Sequence, residues 1–337
     1  MAQVAVELSD LRGFARQVGR ASTDMGAAKN YAASHIADAD FGRILELITG
    51  DYAAMIPKFH AVLQEDSTRL GRTRDGLSQS ADNYKEADER SAGRLAQLPG
   101  GQTGNITDDG VANGFDDRGS ATGALVAPGS AAAGMPDLPE VSFGFLLDKV
   151  CDLVVWVGGP DPREHVTRWL AGDIDKAAMH VEAWKAVAEC CDIVEDNLKS
   201  GRKSIANTWS GDAANAATSH LDKWATSLLE QAGAMRKMGE HLWDMIDHAV
   251  KMAQVVVDII RTLVSLVSAA LSNAAIPFYG QWKLINTVKE GIKMVWQAIK
   301  VVKVFLNALV LVIDTIKLCV DYFSISKLPP APAAGPA

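Results

Sequence analysis

The chain has 337 residues, 48% of them hydrophobic and only 7% aromatic, with a formal net charge of −8. That length points to about two domains, and the acidic balance argues against a general nucleic-acid binder, which needs a basic surface. Four cysteines, at 151, 190, 191 and 319, make no disulfide framework for a chain this size, and the adjacent Cys190 and Cys191 fit no metal-ligand spacing.

The first residues, MAQVAVELSDLRGFARQVGR, place acids before the first Arg and hold no apolar leader core. No cleaved signal peptide is expected, so the protein either stays in the cytosol or leaves by a route that reads folded structure. Leu8, Leu11, Ala15, Val18, Ser22 and Met25 recur at spacings of three and four, one face of a helix expected to run with interruptions to Ala39. After Gly50, the residues Ile56, Leu63, Leu70, Leu77 and Tyr84 stand seven apart and predict a second helix. Two helices joined by a turn make a hairpin over 1–98. Residues 99–140 are rich in Gly, Ala, Asp and Ser with no period, and read as a flexible linker. Their DDG and FDD pieces lack the alternate oxygen ligands of a calcium loop.

A second helical unit is expected over 141–260. Trp184, Cys191, Leu198 and Ile205 stand seven apart, with Val187 and Val194 between them, and the pattern stops at Trp209-Ser210-Gly211-Asp212. It restarts as two interleaved heptad rows, one from Ala214 through Leu242 to Ala270 and one from Ala217 through Met238 to Leu266. Only Gln231 in these rows is polar, so the pattern predicts a coiled-coil-like seam on a rod of about 85 Å that needs partner helices along its length. Ile48-Thr49-Gly50-Asp51 lines up with Trp209-Ser210-Gly211-Asp212. In both, the Gly is expected at a left-handed helix end and the Asp as the next N-cap.

The last third differs. Residues 262–282 carry no charge, but Pro277 and Gly280 interrupt them, so no clean membrane-spanning helix is expected. From Lys283 to Lys327 there are seven Lys and three acids, a local +4, which leaves −12 for the remainder. Residues 261–327 read as hydrophobic helices and 328–337 as a disordered tail. The region 283–325 is expected to fold back antiparallel on 214–270 and cover its seam. The competing expectation is that 253–325 contacts a membrane, where its charges would cost about 2.5–3.5 kcal/mol each at the bilayer centre.

Motifs for chemistry are missing: there is no HExxH, GxSxG, P-loop or GxGxxG. Ser200 to Lys203 spells SxxK without its companion motifs. His241, Asp244 and His248, with His220, read as solvated edge residues rather than metal ligands. The sequence therefore predicts no catalytic residue, no metal, no cofactor and no enzyme.

Two short motifs remain. Trp209-Ser210-Gly211 sits where one heptad helix gives way to the next, whereas a second match, Trp156-Val157-Gly158, precedes the Gly159-Pro160 loop. Among five Tyr only Tyr84 has an acid four residues on, Asp88, which puts a phenol and a carboxylate on one helix face. Over about 165–260 the chain resembles the WXG-type helical-hairpin substrates of type VII (ESX-like) secretion of actinobacteria and Gram-positive bacteria. Its first 98 residues resemble the EspC-like group of such substrates, with Tyr84 and Asp88 in the YxxxD/E motif. The resemblance implies a non-enzymatic substrate or structural effector, exported to the outside or the cell envelope. Tyr84 and Asp88 would be its export motif, with Trp209, Gly211 and Asp212 at the hairpin tip. The implied partners are a secretion ATPase and either a second copy or another hairpin protein, with no nucleic acid. The fusion of two hairpins and the long apolar C-terminal region depart from the single small hairpin of that family. A membrane-active effector and a cytosolic coiled-coil scaffold stay open as alternatives. The expected architecture is all-α: two tandem antiparallel hairpins, a long coiled-coil-like helix and a hydrophobic helical C-terminal region.

Overall fold

The computed structural model describes residues 5–37, 41, 46–97, 110–129, 174–273 and 279–332. The fold is all-α among these residues. Five helices form it: α1 (Leu8–His35), α2 (Glu46–Ala96), α3 (Ile174–Ile205), α4 (Asp212–Asn273) and α5 (Tyr279–Tyr322). Two strands of two residues each, β1 (Ala5–Val6) and β2 (Trp209–Ser210), pair antiparallel.

The heptad residues of α2, Ile56, Leu63, Leu70 and Leu77, are buried, as are Trp184, Cys191, Leu198 and Ile205 of α3. Apolar residues repeated at helical spacing bury one face of each helix, and that burial is the main stabilising term. Arg12 pairs with Asp82, and Ser22 and Ser67 each donate to the other's backbone carbonyl at 2.7 Å, so α1 and α2 run antiparallel. Arg202 pairs with Asp222 and Arg236 with Asp192, which sets α3 antiparallel to α4. Cys319 Sγ lies 3.4 Å from the Ala234 carbonyl and Thr315 pairs with His241, so α5 returns antiparallel along α4. Phe305, Leu309, Val312, Ile316 and Cys319 are buried in that contact. Among the described residues, no helix is long and apolar enough to cross a membrane.

The α1–α2 pair packs on the rest through α1 against α3 and α2 against α5. Gly201 of α3 permits the first contact, because a Cβ there would lie 1.7 Å from Gln17 Oε1 and 2.9 Å from the Phe14 ring. Aromatic rings make the second. Phe59 of α2 stands 4.4 Å from Trp184 of α3 and 4.9 Å from Phe323, just past α5, between ring centroids. Buried polar bridges tie α2 to the later helices. Trp184 Nε1 donates to the Tyr52 hydroxyl at 2.6 Å, which sits 3.0 Å from His180 Nδ1. Gln231 Nε2 donates to Asp66 Oδ1 at 3.3 Å. His220 Nε2 accepts from Trp224 Nε1 at 3.1 Å and lies 3.0 Å from Thr73 Oγ1.

Several expectations are corrected. Gly50 and Asp51 do not cap anything: they lie inside α2, which starts at Glu46. Burial of Ile48, Tyr52 and Met55 extends the helix through the glycine, outweighing its cost of about 1 kcal/mol. Helix α1 stops at His35, short of Ala39, with the Ile36 N–H bonded to the Ala32 carbonyl. Helix α4 runs unbroken past 260 to Asn273, and Gly280 lies within α5. His220 and His241 are bridging groups rather than solvated edge residues, for the facing hydroxyls of Thr73 and Thr315 draw them inward.

Inside the expected linker, residues 110–129 form a fixed strap across α1 and α3. Phe115 is buried, and Arg20 grips the Asp117 carboxylate at 2.6 and 3.0 Å. Asn197 Oδ1 accepts from the N–H groups of Arg118 and Gly119, and the Tyr31 hydroxyl donates to the Val126 carbonyl at 2.6 Å. Polar composition concealed this, because the strap is held by its backbone, one aromatic ring and the Asp117 carboxylate. The expected tail is likewise ordered as far as described: Leu328 and Pro329 are buried. The rest of both stretches, Cys151, the Trp156–Gly158 match and the Pro277 break lie outside the described residues.

Candidate functional site

One end of the bundle gathers the residues singled out by motif. Helix α3 ends in tightening turns, with Asn207 N–H bonded to the Ser204 carbonyl and Thr208 N–H to the Ile205 carbonyl. The chain then extends for Trp209 and Ser210. Gly211 takes φ +109°, a backbone that side chains with a Cβ rarely adopt. Its carbonyl accepts the Asn215 N–H at 3.0 Å, so Gly211 opens α4 rather than closing α3. Asp212 is accordingly the first residue of α4, not its N-cap, an exposed acid in the first turn, where the helix dipole favours negative charge.

Trp209 is 6% exposed. Its indole Nε1 donates to the Tyr84 hydroxyl at 3.4 Å, across 125 residues of sequence. Tyr84 stands at the end of the buried α2 row, and Asp88 follows one turn later, exposed. Both line a hollow of about 600 Å³ together with Val6, Thr208, Trp209 and Ser210. The structure thus brings Tyr84, Asp88 and Trp209 to one surface, with Gly211 shaping the turn behind it.

One component carried no sequence signal. Val6 pairs with Trp209, Ala5 with Ser210, and Glu7 N–H donates to the Thr208 carbonyl at 3.0 Å. A strand of two residues is too short for alternation to announce it, so the N-terminal segment at the tip could not be read beforehand.

The site offers an indole, a phenol, a carboxylate and strand backbone. A phenol and a carboxylate on one surface can accept hydrogen bonds or an ion pair from a basic group. Among the described residues, no group of three or more His, Cys, Asp or Glu side chains is placed to hold a metal ion. Cys190, Cys191 and Cys319 are buried free thiols, and burial pushes Cys190 and Cys319 up to about 12, far from the reactive thiolate range. Compared with known proteins, the chain matches no family model, no curated protein and no solved structure.

Proposed function

We propose that the protein is a non-enzymatic substrate or structural effector of a type VII secretion system, read by its export machinery at the tip formed by Tyr84, Asp88 and Trp209. The single observation that carries this reading is the bond from Trp209 to Tyr84. In the families that the chain resembles, WxG and YxxxD/E stand on paired hairpins. Here both motifs belong to one chain, and α1–α2 and α3–α4 act as two tandem hairpins whose pairing is intramolecular. On this reading α4 provides the coiled-coil-like seam that α3 and α5 cover, and no residue does covalent chemistry. The partners are a secretion ATPase that docks on the tip and either a second copy or another hairpin protein. The destination is the cell envelope or beyond.

The test is export from a host carrying the secretion system. Tyr84→Ala and Asp88→Ala are each expected to abolish appearance outside the cell while the intracellular protein keeps its helical content. Undiminished export of both variants would overturn the reading. A second reading, a membrane-active effector, draws on five exposed apolar residues of α5, Val304, Leu306, Val310, Leu311 and Leu318. Dye leakage from anionic vesicles by the intact protein would favour it.

A further inference from the structure

The segment after α5 does not leave the bundle. Following a short 3-10 turn at Ile325–Lys327, residues Leu328 to Pro332 run on between α2 and α4, with Leu328 and Pro329 buried. Arg69 of α2 holds this extension. Its Nη1 donates to the carbonyls of Leu328 and Pro329, both at 3.1 Å, and its Nε donates to Glu65 at 2.8 Å. Arg69 stands three residues after Asp66, a spacing that makes the two neighbours on one helix surface. Asp66 is fully enclosed. Its Oδ1 accepts from Gln231 Nε2 at 3.3 Å, and its Oδ2 has no hydrogen-bond partner. A second path reaches the extension from α4. Gln231 Nε2 also donates to Ser227 Oγ at 3.3 Å, and Ser227 lines a hollow of about 460 Å³ together with Leu328, Pro329 and Pro330. Asp66 is therefore joined to the extension through Arg69 on α2 and through Gln231 and Ser227 on α4.

Three helices act on the Asp66 carboxyl. From α2, Arg69 favours its charged form and Glu65 opposes it; from α4, Gln231 donates to it; from α3, the Cys191 thiol lies near enough to feel its charge. Burial outweighs these and pushes the carboxyl up to about 8, so at neutral pH it is mostly protonated. Arg69 then bonds Glu65 and two neutral carbonyls. Ionisation places an enclosed negative charge one helical turn from the guanidinium. A bond between charged groups is roughly twice as strong as one between neutral groups, so the carboxylate competes with the carbonyls for Arg69. We propose that Asp66 and Arg69 form a proton-controlled latch on the extension: while Asp66 keeps its proton, Arg69 holds Leu328 and Pro329, and when that proton leaves to solvent, Arg69 turns to the carboxylate and lets the extension go. The sign follows from the raised carboxyl: the latch is closed in acid and at neutral pH and opens as pH climbs through about 8. Release uncovers the wall of the hollow on α4. The device works the same way whatever the tip docks.

The test is limited proteolysis of the full chain by a lysine-specific endoprotease at pH 7 and pH 9, following the fragment that begins at Leu328. Its release needs the Lys327–Leu328 bond, which the buried Leu328 shields. Each rate is divided by that of a free peptide spanning residues 322–332 at the same pH, which cancels the protease's own pH dependence. A group titrating at about 8 goes from about one-tenth to about nine-tenths ionised over this interval, and cleavage follows the open population, so the wild-type ratio is expected to rise about fivefold or more. Asp66→Asn keeps the bond from Gln231 but cannot ionise, and its ratio is expected to stay level. Arg69→Met cannot hold the carbonyls at either pH, and is expected to be cleaved fast at both. A wild-type ratio that stays level, a rise that persists in Asp66→Asn or in Arg69→Met, or an equal acceleration of cleavage at Lys185 inside α3, which would mean that the whole bundle loosens, each overturn the proposal.

Discussion

Asp66 of α2 and Gln231 of α4 meet in the middle of the bundle, both fully enclosed, and each keeps one oxygen without a hydrogen-bond partner. Burial drives the Asp66 carboxyl up to about 8, against the pull of Gln231 and Arg69. A neutral Asp66 has an O–H to give, and Gln231 Oε1 is the facing acceptor that lacks one. A proton on the Asp66 carboxyl would supply the donor that Gln231 Oε1 lacks.

This pairing predicts a pH dependence with a definite sign. A carboxyl whose folded-state value is raised contributes stability that is complete below about pH 4 and is lost as pH climbs towards 8, by at most about 1.4 kcal/mol per pH unit. His60 and His220, both lowered chiefly by burial, act oppositely, but their contribution is flat once pH exceeds the ordinary histidine value. Between pH 7 and 8.5 the Asp66 effect stands alone among these three. Asp66→Asn keeps the bond from Gln231 and supplies a donor for its oxygen. Thermal melts should show the variant gaining on wild type as pH rises through this window. Parallel curves would show that Asp66 is ionised in the fold.

Gly211 at φ +109° tolerates no β-branched side chain without strain. Gly211→Val should lower stability by about 1–3 kcal/mol, read as a fall in melting temperature. A melting point unchanged within error would mean the turn relaxes to negative φ.

Gly201→Val tests the closest approach of α1 to α3. Its Cβ would fall on Gln17 Oε1 and against the Phe14 ring. Gln17 can swing away, but Phe14 is packed in the core, so a cost of about 1–3 kcal/mol is expected. Hydrogen exchange should quicken along α1 near Phe14 more than at the α4–α5 contact; uniform exchange would contradict this.

Phe115→Ala distinguishes a strap from a linker. Removing a buried phenyl costs about 3–5 kcal/mol, whereas truncation in a free linker costs nothing measurable. The denaturation midpoint decides the matter, and exchange at Arg118 and Gly119, whose N–H groups bond Asn197, should quicken together.

The all-α class was legible because Leu, Val, Met and Trp recur at helical spacing, and Gln231 stood out as the one polar residue in the α4 rows. What it paired with was not legible, since Asp66 lies 165 residues away and its own surroundings read as an ordinary charged face. Tyr84, Asp88 and Trp209 were picked out by local pattern, but their meeting depends on how α2 packs beside α3 and α4. Gly50 misled because a glycine flanked by a possible cap reads as a helix end, while burial on both sides of it decides otherwise. The strap at 110–129 and the extension at 328–332 were hidden for a shared reason. Backbone hydrogen bonds from Arg69 and Asn197 leave no mark on hydrophobic periodicity.

The bond between Tyr84 and Trp209 also has a temporal meaning. During synthesis the first of these residues emerges 125 positions ahead of the second, and β1 waits longer still for its strand partner. A nascent chain, a truncated product or a molecule with its later helices melted owns one half of the tip and has nothing to set it against. The assembled tip therefore exists only in molecules in which α2 and the α3–α4 turn have both been made and folded.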